Sequence, residues 1–283
     1  MTIATLTDVL QPAMKDGYAV GGLVVLGWED ARAYVEAAED TGLPVILQAG
    51  PGCRAHTPLP ILGKMFRYLA EQADVPVVCH LDHGYHPEEC FEAIEHGFTS
   101  VMFDGSKLPL SENIDTTAAI AEKAHAAGVS LEGEVGYVGY ADGPASAGTT
   151  PEEAARFDRE SGADAMAISI GNVHLQTEKT DGIDFAALRA IEAVTQLPLV
   201  LHGGSGIPTS MRRKLASESR VSKFNIGTEL RMAFGSALRA NLAANPDVFD
   251  RVALLSPTIA PVRDVARQVL SGIGPTGQTG RKP

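Results

Sequence analysis

One unit recurs along this chain and restricts its fold more than any other feature. A short apolar run rich in β-branched residues meets a polar or glycine-rich break, and a helical pattern follows. The runs fall at 19–26, 44–48, 76–81, 100–103, 130–134, 165–170, 198–201 and 221–226. The helical patterns between and after them fall at 28–41, 60–73, 87–96, 111–127, 150–161, 185–195, 209–218 and 228–245. Thr150-Pro151-Glu152-Glu153 and Pro208-Thr209 are helix-start signals, and Gly97, Gly128 and Gly162 are helix-stop signals. Strands buried on both faces belong to a parallel sheet covered by helices. A doubly wound sheet alternates in the same way, but eight such units in 283 residues match the count and size of a (β/α)8 barrel.

The expectation is therefore a single-domain α/β protein, a (β/α)8 TIM barrel over residues 1–271. A short amphipathic helix at 3–15 could close its bottom. A tail at 272–283, without core-forming residues, is expected to be mobile in solution. With 45% hydrophobic residues the chain can bury a large core. A formal charge of −12 with no basic stretch argues against nucleic acid or an anionic membrane surface as partner. An anionic small substrate is not excluded, because one local pocket can oppose the global sign. No run is long enough to span a bilayer, and the N-terminus lacks a signal-like pattern. Cys53, Cys79 and Cys90 are an odd number without paired spacing, which points to reduced thiols and a cytoplasmic setting.

The strand exits carry the chemistry. Residues 76–81 form an apolar run that continues directly into Asp82-His83-Gly84. Unpaired ionisable groups are costly inside a barrel, so these belong at the exit, where barrel enzymes bind ligands. Later strands end in Asp104-Gly105-Ser106, Glu132-Gly133-Glu134, Asn172-Val173-His174, His202-Gly203-Gly204-Ser205-Gly206 and Asn225-Ile226-Gly227-Thr228. Three histidines from three exits, His83, His174 and His202, suit a zinc-type site with an open position for a substrate oxygen. A lone histidine is more often a satisfied, non-ligand residue. That plainer reading is kept for His56, His96 and His125, and for His80, which lies too deep and suits a core hydrogen bond. His86 could pair locally with His83. Gly203 to Gly206 and Gly227-Thr228, each before a helix, could cradle a phosphate with backbone N–H groups, or serve as structural turns.

These motifs, in this order and spacing over nearly the whole chain, resemble the class II, metal-dependent ketose-bisphosphate aldolases. The resemblance rests on His80-Leu81-Asp82-His83, Val101-Met102-Phe103-Asp104, Glu132-Gly133-Glu134-Val135-Gly136, Ile170-Gly171-Asn172-Val173-His174, Leu201-His202-Gly203-Gly204-Ser205-Gly206 and Asn225-Ile226-Gly227-Thr228-Glu229. It implies an aldehyde-lyase that cleaves a ketose phosphate or bisphosphate to dihydroxyacetone phosphate and an aldehyde through a metal-stabilised enediolate. The metal ligands would be His83, His174 and His202, with Asp104 and Glu134 at a secondary metal position. Asp82 would be the acid/base at the C4 hydroxyl, and Asp142 the nearest equivalent of a loop glutamate that handles the C3 proton. Gly203, Ser205, Gly227 and Thr228 would hold the phosphate end, with Asn225 on the substrate. Zn2+ is the implied cofactor, although cobalt, iron or manganese could occupy such a site, and a monovalent cation could sit near the phosphate. The partners implied are a phosphorylated sugar and further copies of the chain, as a homodimer or homotetramer, with Arg263 or Arg267 as candidates to reach a neighbour's site.

This chain departs from the family pattern in several places. Gly21-Gly22-Leu23-Val24-Val25 stands where Pro-Ala-Phe-Asn is common, and Gly50 replaces a small polar residue. Leu175 replaces a glycine after the second histidine, Lys179 falls one place late, and an acidic Gly-Gly loop has become Gly139-Tyr140-Ala141-Asp142. These changes crowd and depolarise one side of the pocket. Two other functions fit the residues: an aldolase for a deoxy-keto sugar-acid phosphate, and a non-catalytic barrel subunit that supports a partner aldolase.

Overall fold

The computed structural model describes residues 2–141, 143–180 and 182–275. The chain opens with β1 (Ile3–Ala4) and α1 (Leu6–Asp16), then alternates through β2 (Val20–Val24), α2 (Trp28–Thr41), β3 (Val45–Ala49), α3 (Pro51–His56), α4 (Leu59–Gln72) and β4 (Val77–Gly84). It continues through α5 (Pro87–Glu95), β5 (Ser100–Phe103), α6 (Leu110–Ala126), β6 (Ser130–Val135), α7 (Pro151–Glu160) and β7 (Ala165–Ile168). The last elements are α8 (Phe185–Glu192), β8 (Leu199–Leu201), α9 (Thr209–Glu218), β9 (Val221–Ile226), α10 (Thr228–Ala244), α11 (Arg251–Leu255) and α12 (Ile259–Ile273).

Strands β2 to β9 pair in parallel in chain order. β2 joins β9, so the eight close into a barrel, and β1 adds a short parallel pairing to β4. Alternation along each strand sorts the apolar side chains into two populations. Val20, Ile46, Val78, Met102, Ala165, Ala167 and Val200 point into the barrel, where Leu6, Val9, Leu10 and Ala13 of α1 close its lower end. Val45, Leu47, Val77, Cys79, Leu81 and Phe103 belong to the larger cluster beneath the helices. The expected barrel and its closing helix are both present, and the eight expected strands and eight expected helices all appear within a few residues of their anticipated bounds.

Two differences matter. Helix α3 was not foreseen, because a Pro-Gly opening and six residues carry too little periodicity to declare a helix. Helix α12 was also missed, although Val262, Ala266, Val269, Leu270 and Ile273 recur at helical spacing and are buried. Its Pro261 lies in the first turn, where the missing N–H removes no helical bond. This helix corrects the expected start of the tail at 272. The chain stays helical to Ile273, which is 2% exposed and part of the core. The remainder of the expected tail, 276–283, lies outside the described residues.

Candidate active site

The C-terminal mouth of the barrel gathers most of the anticipated groups. His83, His174 and His202 each offer a nitrogen within one group of mutually close donor atoms, none more than 4.8 Å from another, and His83, Asp104 and Glu134 form a second such group. The imidazole centroids stand 4.6 to 5.4 Å apart.

His83 reaches this position through an unusual backbone. The β4–β5 register shifts between Leu81 and Gly84, and His83 adopts φ 52°, a left-handed conformation rare for a residue with a Cβ. Arg54, carried by α3, holds that conformation in place. Its guanidinium donates to the carbonyls of Ala49, Asp82 and His83 at 2.9, 2.7 and 3.0 Å and to Glu89 at 2.8 Å. The unforeseen helix therefore supplies the clamp that orients the first metal-type ligand. Asp104 Oδ2 lies 2.8 Å from His83 Nδ1. Burial opposes protonation of His83, but Asp82, Asp104 and Glu134 outweigh it and push its pKa up to about 9. His174 moves the other way, to about 4, through burial and the charge of His83.

His202 is set from below. Lys223 Nζ donates to Glu132 Oε2 at 2.6 Å, and Glu132 Oε1 lies 3.2 Å from His202 Nε2 as an acceptor. That contact places the ring proton on Nε2 and leaves the Nδ1 lone pair facing the cluster. Among the described residues His202 Nδ1 and Glu134 Oε2 are both buried without a hydrogen-bond partner. Burial and the nearby carboxylate of Asp104 push Glu134 up to about 8. Unpartnered buried donor atoms of this kind are costly unless something binds them. Three imidazoles and two carboxylates that converge with such atoms fit a divalent metal of the zinc type.

Asp82 is 5% exposed and hydrogen-bonded by Asn225 Nδ2 at 3.2 Å. Burial disfavours its ionised form, yet the imidazoles of His83 and His202 with Lys223 keep its carboxyl below the usual range. It stands as a carboxylate beside the histidines, ready to accept a proton. Asn225 orients it, with Oδ1 left free.

The phosphate-type residues also converge. Gly203 has φ 67°, and a Cβ there would fall 2.0 Å from the Val173 carbonyl, so glycine is required. Ser205 Oγ accepts from the N–H groups of Gly227 and Glu229 at the start of α10, at 3.3 and 3.4 Å. Gly203, Ser205, Asn225, Gly227 and Thr228 all line one cavity of about 250 Å³ with Asp82, His83 and His174. Asp142 falls outside the described residues.

His80 keeps its core role, with Nδ1 2.8 Å from Ser100 Oγ and Nε2 3.2 Å from Lys223 Nζ. His86 is exposed at the N-cap of α5 and joins neither donor group. Arg263 is engaged with Glu36 and Asp40 on α2. Sequence reasoning set Glu132 at a strand exit without its role beneath His202, and it missed Arg54 and Lys223, and also Tyr85, Tyr140 and Arg231, which line the cavity. Glu132 and Lys223 occupy alternating barrel-facing positions, the signal that could have revealed them. Tyr140 comes from the loop between β6 and α7, which is tied to the β7 exit by His174 N–H to Gly139 O at 2.8 Å and Ala141 N–H to His174 O at 3.0 Å. Leu175 at the glycine position of that exit carries φ 56° and is half exposed.

A closed parallel barrel with convergent ligands at its C-terminal mouth defines a barrel enzyme of the metal-assisted kind. The family profile described as "Fructose-bisphosphate aldolase class-II" matches residues 4–278, and the chain belongs to this family of metal-dependent aldehyde-lyases. It is 36% identical to a probable fructose-bisphosphate aldolase of Bacillus subtilis (strain 168), over 98% of this chain and all of the relative. It is 35% identical to a 6-phospho-5-dehydro-2-deoxy-D-gluconate aldolase of Bacillus licheniformis, over 98% and 97% of the two chains. The YdjI aldolase of Escherichia coli K12 shares the fold with a TM-score of 0.84 and 29% identity, covering 98% of this chain and all of that one.

Proposed function

We propose that the protein is a zinc-dependent aldolase that cleaves a ketose phosphate or bisphosphate to dihydroxyacetone phosphate and an aldehyde. The observation that carries this reading is the pair of orphaned atoms, His202 Nδ1 and Glu134 Oε2, beside the Asp82 carboxylate. His83, His174 and His202 would hold the metal, with Asp104 and Glu134 as a secondary acidic position. A bound divalent ion there supplies Lewis-acid polarisation of the ketose carbonyl.

The chain's own groups do the rest. Asp82 accepts the proton of the C4 hydroxyl while the C4–O pair closes to an aldehyde and the C3–C4 bond breaks toward C3. Asn225 keeps Asp82 aimed at that proton. Asp142 is assigned the return of a proton to C3. Gly203, Ser205, Gly227 and Thr228, where N–H groups and hydroxyls meet the start of α10, hold the phosphate, and a monovalent cation beside it belongs to the same reading.

A cytoplasmic homodimer or homotetramer completes this reading. Among the described residues no helix is long and apolar enough to cross a membrane. The exposed apolar side chains of Met232, Phe249 and Val252, on and between α10 and α11, support association. A non-catalytic support subunit would have no need of convergent unpartnered donors.

The test is metal content together with dihydroxyacetone phosphate release from a panel of ketose phosphates and 6-phospho-5-dehydro-2-deoxy-D-gluconate, before and after chelation. One zinc per chain with chelator-sensitive release is expected. A stably folded, metal-free and inactive protein would overturn the reading. Release from the sugar-acid phosphate alone would give the deoxy-keto sugar-acid activity instead.

A further inference from the structure

Two glycine-rich turns supply the phosphate-type groups of the cavity, one at 203–206 after β8 and one at 227–228 after β9, and each leads into a helix, α9 or α10. On the cavity side Ser205 joins the two turns, since its Oγ accepts from the N–H groups of Gly227 and Glu229. Neither bond uses the hydroxyl's own proton. Ser205 lines the cavity, so that proton is available to an anion bound there.

A second tie lies behind the turns. Arg212, in the first turn of α9, is 1% exposed and among the largest fully buried side chains. Its Nη1 donates to Glu229 Oε1, in the first turn of α10, at 2.8 Å, and its Nη2 donates to Thr209 Oγ1 at 3.3 Å. Its Nε is buried without a partner among the described residues. The other Glu229 oxygen stands 3.9 Å from Lys179 Nζ, and the adjacent Thr180 N–H donates to Gly206 O at 2.9 Å. The segment after β7 is thus fastened to both turns.

A guanidinium buried with one nitrogen unpartnered does little for stability, because lost hydration offsets most of its attraction. It does fix geometry. The planar fork grips one group from each helix, and so sets the spacing of the two first turns. Glu229, whose carboxylate it grips, is also the residue whose N–H reaches Ser205. A shift of Glu229 would move an α10 N–H and the Ser205 hydroxyl together.

We propose that Arg212 and Glu229 are positioning residues for the substrate's phosphate. They touch no substrate atom. They hold the β8 and β9 turns at the separation at which the Ser205 hydroxyl and the N–H groups of both turns meet one phosphate. This inference rests on the aldolase reading and adds to it the pair that shapes the phosphate end.

The experiment uses the zinc-loaded full chain. It reads the dissociation constant of dihydroxyacetone phosphate by calorimetry, beside KM and kcat for ketose phosphate cleavage. Glu229→Ala should weaken binding and raise KM by about tenfold, with kcat within about threefold of the parent and zinc content unchanged. Glu229→Gln, which keeps an oxygen for Arg212 to donate to, should bind within about threefold of the parent. If the alanine variant folds poorly, Arg212→Met/Glu229→Gln removes both charges together with the tie, and it should show the same loss of binding at parental zinc content. Parental binding in the alanine or the double variant overturns the proposal, because the pair would then serve stability alone. Equal losses in the glutamine and alanine variants also overturn it, since charge rather than position would then matter. A parent that binds dihydroxyacetone phosphate but cleaves no ketose phosphate ends the aldolase reading, and the dissociation constants still decide this inference. A parent that does not bind it overturns both.

Discussion

Two levels of the barrel interior use the same residue types to opposite ends. In the deeper one His80, Ser100, Glu132 and Lys223 are buried, and their polar side-chain atoms find partners within the layer or in His202 above it, the amide of Gln48 beside them being the exception. In the upper one Asp82, His83, Glu134, His174, His202 and Asn225 crowd together, and Glu134 Oε2, His202 Nδ1 and Asn225 Oδ1 have no partner among the described residues. His202 belongs to both levels, held by Glu132 below and left with a free lone pair above. The difference shows how buried ionisable groups can be read. A network that satisfies itself is a support, whereas one that leaves convergent atoms unsatisfied is built for something that arrives later.

The lower level can be broken most severely. Lys223→Met leaves the Glu132 carboxylate buried and uncompensated, and should cost about 3–5 kcal/mol of unfolding free energy in a urea titration. The double variant Glu132→Gln/Lys223→Met should recover part of it. A single variant as stable as the parent would mean the lower network is not a unit. In the upper level, Asp82→Asn should lower the rate of dihydroxyacetone phosphate release by about 10²–10⁴-fold. Bound metal and the urea midpoint should stay near parental values, and loss of the metal would move Asp82 into the ligand set.

The link between the levels is the next target. Glu132→Gln weakens the acceptor that fixes the His202 proton on Nε2, so zinc affinity should fall by about 10–100-fold in competition with a chromophoric chelator. Unaltered affinity would separate the two levels. The smallest effect lies outside the barrel, at the Arg54 clamp. Burial raises the pKa of Glu89, but Arg54 and the N–H groups of Tyr85 and His86 more than offset that, so it sits below its usual value. A depressed carboxylate contributes stability fully above its unfolded pKa of about 4.3, and that contribution disappears as pH falls through the lower folded value. Glu89→Gln should therefore cost about 0.5–1 kcal/mol near pH 7, limited by its partial exposure, and the gap in melting temperature should narrow below about pH 4. A gap independent of pH would assign the loss to packing.

The alternation of apolar runs and helices was enough to anticipate the barrel, because strands buried on both faces have few other ways to be covered. The ends of those runs were enough to anticipate that His83, His174, His202 and Asp82 meet at one mouth, because polar groups that stop a buried strand belong at its exit. What remained hidden was of a different kind. Arg54 acts from a six-residue helix with no periodicity to reveal it, and it clamps carbonyls that are 28 and 29 residues away. Lys223 meets Glu132 and His80 across the barrel, at separations of 91 and 143 residues.

By itself the sequence determined the eight barrel strands, the helices between them and which groups stand at the strand exits, since these follow from local pattern and the cost of burying charge. Only the tertiary structure decided the left-handed turn at His83, the orientation of His202, and the meeting of Arg231 and Tyr140 in one cavity. Those depend on which strand closes against which, and on where long side chains meet once the barrel has shut.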